Sequence, residues 1–188
     1  MTIKVPPCQT IKVFAFRGNR TPAFAVAFQK KLDDEKNGGG PGPTMQECQL
    51  FAGHAGVSID QGKTIYGFNP DAAGIPLWEL MNRLKYGEGI PSVVRDDVSV
   101  FVAARLIRLV VISFDISFPD PAFLVFRRRL DAERKTSRYY YAFPNGDGNC
   151  NCITWLERLG LPLLTGNMNE FVSMIGPSPS GRRFGLCR

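Results

Sequence analysis

Gly53-His54-Ala55-Gly56-Val57-Ser58-Ile59-Asp60-Gln61-Gly62-Lys63-Thr64-Ile65-Tyr66-Gly67-Phe68 reads as two strands around a tight turn. Apolar residues alternate with small or polar ones on both sides of Gln61-Gly62, the pattern of a hairpin with a two-residue loop. The first strand is expected over 50–60 and the return strand over 63–68. A two-residue turn fixes the register: Asp60 faces Lys63, Val57 faces Tyr66, and His54 falls opposite Asn69. His54 is the one histidine of the chain, so imidazole chemistry has a single address. Gly53 and Gly56 beside it leave room for a ligand or another backbone. An amide carbonyl opposite the ring can fix its tautomer and aim, which makes Asn69 the expected orienter, with Asp71 and Ser58 as alternates.

Outward from this hairpin, the pattern gives an α+β domain. Residues 11–17 alternate as a strand, and 18–22 form a turn. Residues 24–32 fit a strand or a short helix, because periodicity does not separate the two. The stretch 33–44, with Asn37-Gly38-Gly39-Gly40-Pro41-Gly42-Pro43, is expected as a flexible loop. Residues 76–84 carry apolar side chains at helical spacing. Residues 98–114 are rich in Val, Ile and Phe and are expected to supply one or two strands. Asp120-Pro121 starts a helix running to about 135, and 138–143 form a short aromatic strand. A turn over 144–149 leads to a helix over 153–159, ended by Gly160 and Pro162. A last helix is expected over 167–175, followed by a loose tail over 178–188. The sum is a single domain over 1–188, an antiparallel sheet packed with helices.

Composition excludes several classes. With 44% hydrophobic and 21% charged residues the chain is that of an ordinary globular domain. Its longest apolar run, 106–114, is interrupted by Arg108 and falls short of a membrane span, and the N-terminus lacks the apolar core of a signal peptide. A soluble protein is expected, either cytoplasmic or exported by a signal-free route. The net charge is +6, with clusters at Arg127-Arg128-Arg129 and Arg182-Arg183. Such a balance suits a solvated surface or a meeting with an anionic one; no helix-turn-helix or aromatic-basic RNA motif points to nucleic acid. Five cysteines at irregular spacing argue against a disulfide framework. One histidine and a single C-x-C argue against a four-ligand zinc site, and no metal or cofactor is expected.

The other chemical signal is Gly148-Asn149-Cys150-Asn151-Cys152-Ile153-Thr154-Trp155. A cysteine at the start of a helix sees free backbone N–H groups that stabilise negative charge on sulfur and on a developing oxyanion. Trp155 and Leu159 lie three and seven residues past Cys152, on one helix face that can anchor it. Cys152 is therefore the expected nucleophile, Cys150 the alternate, and Asn149 and Asn151 the candidate oxyanion donors.

A Gly-His-x-Gly strand opening a hairpin, followed much later by an Asn-Cys helix start with an aromatic residue three past the Cys, resembles the circularly permuted papain-like superfamily. That group includes permuted NlpC-like hydrolases, PPPDE peptidases and lecithin:retinol acyltransferase-like proteins, in which His precedes Cys. The matching pieces are Gly53 to Ser58 and Asn151 to Leu156; the aromatic stretch 139–143 also fits. The resemblance spans roughly 50–162, carried by those two motifs, and the Asn-Cys-Asn-Cys doubling departs from the simple pattern. It implies a permuted papain-like (NlpC-like) fold, Cys152 as nucleophile and His54 as base. The implied chemistry is hydrolysis or acyl transfer on an amide, isopeptide or ester bond. The implied substrates are a peptide, peptidoglycan, a protein conjugate or a lipid, in an enzyme such as a cell-wall amidase or a delivered bacterial toxin. A non-catalytic binding domain of the same fold is the other reading.

Overall fold

A computed structural model describes residues 8–142, 149–161 and 183–185. In chain order the elements are β1 (Cys8–Arg17), α1 (Pro22–Lys36), α2 (Met45–Ala52), β2 (Gly53–Ser58), β3 (Tyr66–Pro70), α3 (Leu77–Lys85) and β4 (Ile90–Asp96). They continue with α4 (Val98–Leu106), β5 (Val111–Pro119), α5 (Asp120–Lys135), β6 (Tyr140–Tyr141), β7 (Asn149–Cys150), α6 (Cys152–Arg158) and β8 (Arg183–Gly185). The sheet runs β7-β6-β4-β3-β2-β1-β5-β8. Its inner six strands pair antiparallel, and β7 and β8 add a short parallel rung at either edge. The α+β class expected from the sequence is therefore what the chain adopts.

Strand periodicity divides the core between the two faces of β1. Ile11, Val13 and Ala15 face the larger cluster, with Phe126 and Leu130 of α5 and Trp155 and Leu156 of α6. Phe14 and Phe16 face the smaller one, with Leu50 of α2 and Phe101 and Ala104 of α4. Successive strand residues point to opposite sides, so a central strand covered on both sides must be apolar throughout. β2 follows suit and is buried along its whole length. Trp155 is fully buried and stacks on Phe68 of β3, ring centroids 5.5 Å apart. That contact ties α6 to the strand beside β2.

The hairpin has the register read from the sequence: Val57 pairs with Tyr66, and Gln61 and Gly62 both have positive φ, as a two-residue turn of this kind requires. Four local expectations need correction. The strand thought to begin at Leu50 begins at Gly53, because Thr44 and Glu47 form a capping box that starts α2 and Gly53, with φ of +89°, ends it. Residues 24–32, open between strand and helix in the sequence, are helical, and the correction is that α1 runs on through Lys36 into the stretch assigned to the 33–44 loop. Residues 98–114 are a helix followed by a strand, because Val100, Phe101 and Ala104 recur at helical spacing and bury one face of α4. Within the supposed loose tail, Arg183–Gly185 forms β8 against β5. The expected turn over 144–149, apart from the backbone of Asn149 in β7, and the expected helix over 167–175 lie outside the described residues. Cys48, Cys150 and Cys152 are free thiols, and Cys8 is disulfide-bonded. No helix among the described residues is long and apolar enough to cross a membrane.

Because the Trp155 ring joins helix to sheet, Trp155→Ala should cost about 3–5 kcal/mol in urea unfolding. Trp155→Phe, which keeps a stacking ring, should cost clearly less. Equal losses for the two would show that the ring is not what ties α6 down.

Candidate active site

The β2–β3 ladder has its last rung at Gly56 and Gly67. Just past it, on the face covered by α4, His54 is almost completely buried, its ring against Phe101. A buried imidazole needs polar partners. His54 Nε2 lies 2.8 Å from Oδ2 of Asp97, itself buried at the start of α4. The same carboxylate oxygen accepts a 2.8 Å hydrogen bond from Asn69 Nδ2, and Asn69 Oδ1 accepts one of 2.5 Å from Gln49 Nε2. The side chain facing the imidazole is therefore Asp97, which sequence reasoning missed. Asn69 acts one step further out by holding the carboxylate. The alternates are elsewhere: Ser58 donates to Asp60 at 2.8 Å, and Asp71 lies 3.5 Å from Arg95 on the surface.

Asp97 occupies the residue before α4, where a carboxylate ordinarily accepts from its own helix. Here it makes no such bond. Asp96 accepts instead, through Oδ1, from the N–H groups of Val98 and Ile65 at 3.1 and 3.2 Å. The doublet divides the labour: Asp96 secures the helix start, and Asp97 turns inward. The Asp97 backbone is anchored by its N–H to the Ile65 carbonyl at 2.7 Å. The positive end of α4 favours the carboxylate charge beside it. Gly67 makes room for the pair, since a Cβ there would lie 1.8 Å from Asp97 Oδ2 and 2.5 Å from His54 Nε2.

Cys152 is the first residue of α6. Asn151 caps the helix, its Oδ1 accepting from Ile153 and Thr154 N–H at 2.9 and 3.0 Å, while the Thr154 hydroxyl accepts from the Asn151 N–H at 2.9 Å. Asn151, expected as an oxyanion donor, thus uses its carbonyl to fix the turn that carries the thiol. The side chain of Asn149 lies outside the described residues. The Cys152 thiol lies close enough to His54 and to Tyr141 of β6 to raise the pKa of each. With Nε2 given to Asp97, Nδ1 is the ring nitrogen left for sulfur. Cys150 belongs to another neighbourhood, with Thr154, Arg158 and Glu133; burial pushes its thiol pKa up.

Electrostatics follow from this placement. Burial by itself would lower the His54 pKa, but the hydrogen bond to Asp97 and the nearness of Cys152 outweigh it and raise it to about 10. Burial raises the Tyr141 pKa well above the usual phenol range, reinforced by Cys152 and Asp97, so this hydroxyl keeps its proton beside the sulfur. The phenol was legible only as part of an aromatic strand; its approach to Cys152 depends on β6 lying beside β4. A small pocket of about 40 Å³ adjoins the site, bounded by Gln49, His54, Tyr141, Leu80 and Met45 among others. Among the described residues no group of three His, Cys, Asp or Glu side chains is arranged to hold a metal ion. No family model matches the chain, and no curated protein or solved structure matches it.

Two outcomes test this geometry. Gly67→Ala should displace the Asp97 carboxylate, and the hydrogen-bonded His54 ring proton should disappear from the downfield proton NMR spectrum; an unchanged signal would refute the close approach. The His54 pKa is raised, so its stabilising contribution is complete below its ordinary value of about 6.5 and is lost as pH rises through about 10. Urea unfolding between those limits should show wild type losing stability more steeply than Asp97→Asn. Parallel curves would contradict the assignment.

Proposed function

We propose that this chain is a thiol-dependent hydrolase that works through an acyl-enzyme on Cys152. The observation that carries the reading is one imidazole hydrogen-bonded to a buried carboxylate, with a thiol at the first residue of a helix close enough to raise its pKa. Nucleophile, base and orienter in that order are the working parts of acyl transfer. The order of the elements, with the His strand ahead of the Cys helix, also supports a permuted papain-like fold.

In the proposed reaction the sulfur of Cys152 adds to the substrate carbonyl beside a His54 imidazolium that already holds the thiol's proton. Asp97 steadies the imidazolium and fixes which nitrogen faces sulfur. The donors at hand for the developing oxyanion are the Cys152 N–H and the Tyr141 hydroxyl. Collapse breaks the bond to the leaving group, which takes the proton from His54. Water then attacks the thioester, His54 accepts its proton, and the C–S bond breaks, which releases the acid and restores the starting pair of imidazolium and sulfur. An alcohol or amine in place of water would make the same site an acyltransferase. Amide, isopeptide and ester bonds all satisfy this chemistry, in a peptide, peptidoglycan, a protein conjugate or a lipid; a secreted or delivered effector is one setting for it.

The test is an activated aryl ester followed by mass spectrometry of the intact and digested protein. The acyl group should appear on Cys152 and be absent from Cys152→Ser and His54→Gln. Asp97→Asn should acylate about 10²–10⁴-fold more slowly, the range found when an orienting carboxylate or a general base is disabled. Acylation of Cys150, or an unchanged rate in His54→Gln, would refute the mechanism.

A further inference from the structure

Among the described residues, the turn from α4 into β5 gathers several of the exposed large hydrophobic side chains. Leu106 is 77% and Val110 66% exposed, with Val102 and Ile107 also open to solvent. The other face of α4 is buried through Val100, Phe101 and Ala104, so these side chains are surplus to the core. Contiguous exposed aliphatics of this kind mark an interaction surface.

The turn that presents them is closed and specific. Arg108 N–H donates to the Arg105 carbonyl and Leu109 N–H to the Ala104 carbonyl, both at 2.9 Å. This bond pair is the helix-ending motif in which glycine normally takes the left-handed residue. Here that residue is Arg108, with φ of +62°. An arginine thus stands where glycine is favoured, in the same turn as the exposed Leu106 and Val110. Arg105 is exposed nearby, and from Val98 to Phe114 the sequence contains no Asp or Glu. Among the described residues, neither guanidinium is in an ion pair.

Exposed aliphatic side chains at a turn that carries two arginines, with no Asp or Glu between Val98 and Phe114, match the boundary between lipid headgroups and acyl chains. Arginine stems lie along apolar surface while their heads reach phosphate. A second copy fits less well, because a two-fold contact would set Arg105 and Arg108 against their own counterparts with no carboxylate of this segment between them. We propose that the α4–β5 turn docks on anionic phospholipid bilayers, with Leu106, Ile107 and Val110 entering the headgroup boundary and Arg105 and Arg108 meeting lipid phosphates. The turn leads directly into Val111, which pairs with Phe16, and Phe16 pairs with His54. Docking would therefore bring the strand ends that carry the catalytic imidazole towards the membrane surface.

The full chain should float with vesicles of phosphatidylcholine doped with phosphatidylglycerol, and not with pure phosphatidylcholine. Leu106→Gln/Val110→Gln should weaken partitioning at least about tenfold, and Arg105→Gln/Arg108→Gln about 30-fold. Both variants should keep wild-type acylation of Cys152, which separates failure of this surface from failure of the catalytic reading. The proposal is overturned if wild type ignores the anionic vesicles or if both variants float as wild type does. A dimer in sedimentation that Leu106→Gln/Val110→Gln dissolves would also overturn it, by assigning the face to a second copy.

Discussion

The 2.8 Å contact between His54 Nε2 and Asp97 is the interaction on which the site depends. Both side chains are buried, and a buried charge left without its partner is costly. The fold answers by satisfying the carboxylate twice, through the imidazole and through Asn69, and by giving Asn69 its own donor in Gln49. Three elements separated in sequence thereby share one polar network: α2 supplies Gln49, the hairpin His54 and Asn69, and the start of α4 Asp97. Hydrogen-bonded throughout, such a network rigidifies its surroundings; with one member missing it becomes a liability.

The rest of the architecture can be understood as support for that network. Gly67 keeps strand β3 out of the way of the pair. Asp96 takes over the cap of α4 and leaves Asp97 free to face inward. On the opposite side, the Asn151–Thr154 capping box fixes the first turn of α6, and the Trp155–Phe68 stack presses that helix on the sheet. The thiol is thus placed by a cap and a core contact, independently of the groups that place the imidazole. A mutation in either support should misplace one partner while leaving the other in position.

The legible parts of the sequence were those governed by local rules. Gln61-Gly62 set the hairpin register, Asp120-Pro121 set the start of α5, and the Cys152-Trp155-Leu159 spacing set the buried face of α6. The missed parts were those in which local signals compete. Residues 98–114 have strand-like composition, yet Val100, Phe101 and Ala104 already carried the helical spacing that wins once one face is buried. Reading that stretch as strand hid Asp97, which only a helix start turns toward β2. The Thr44-x-x-Glu47 capping signal was present in the sequence, and it moves the start of β2 to Gly53. Tyr141 could not be singled out locally, because its approach to Cys152 comes from long-range strand pairing.

The chain has one histidine, so its imidazole gives a single, unambiguous NMR resonance set. The direct measurement is a nitrogen-15 NMR titration of His54 in wild type and Asp97→Asn. The account requires the wild-type ring to stay protonated to about pH 10, with the midpoint falling toward its ordinary value when the carboxylate is removed. A wild-type midpoint near 6.5, unchanged in Asp97→Asn, would contradict it.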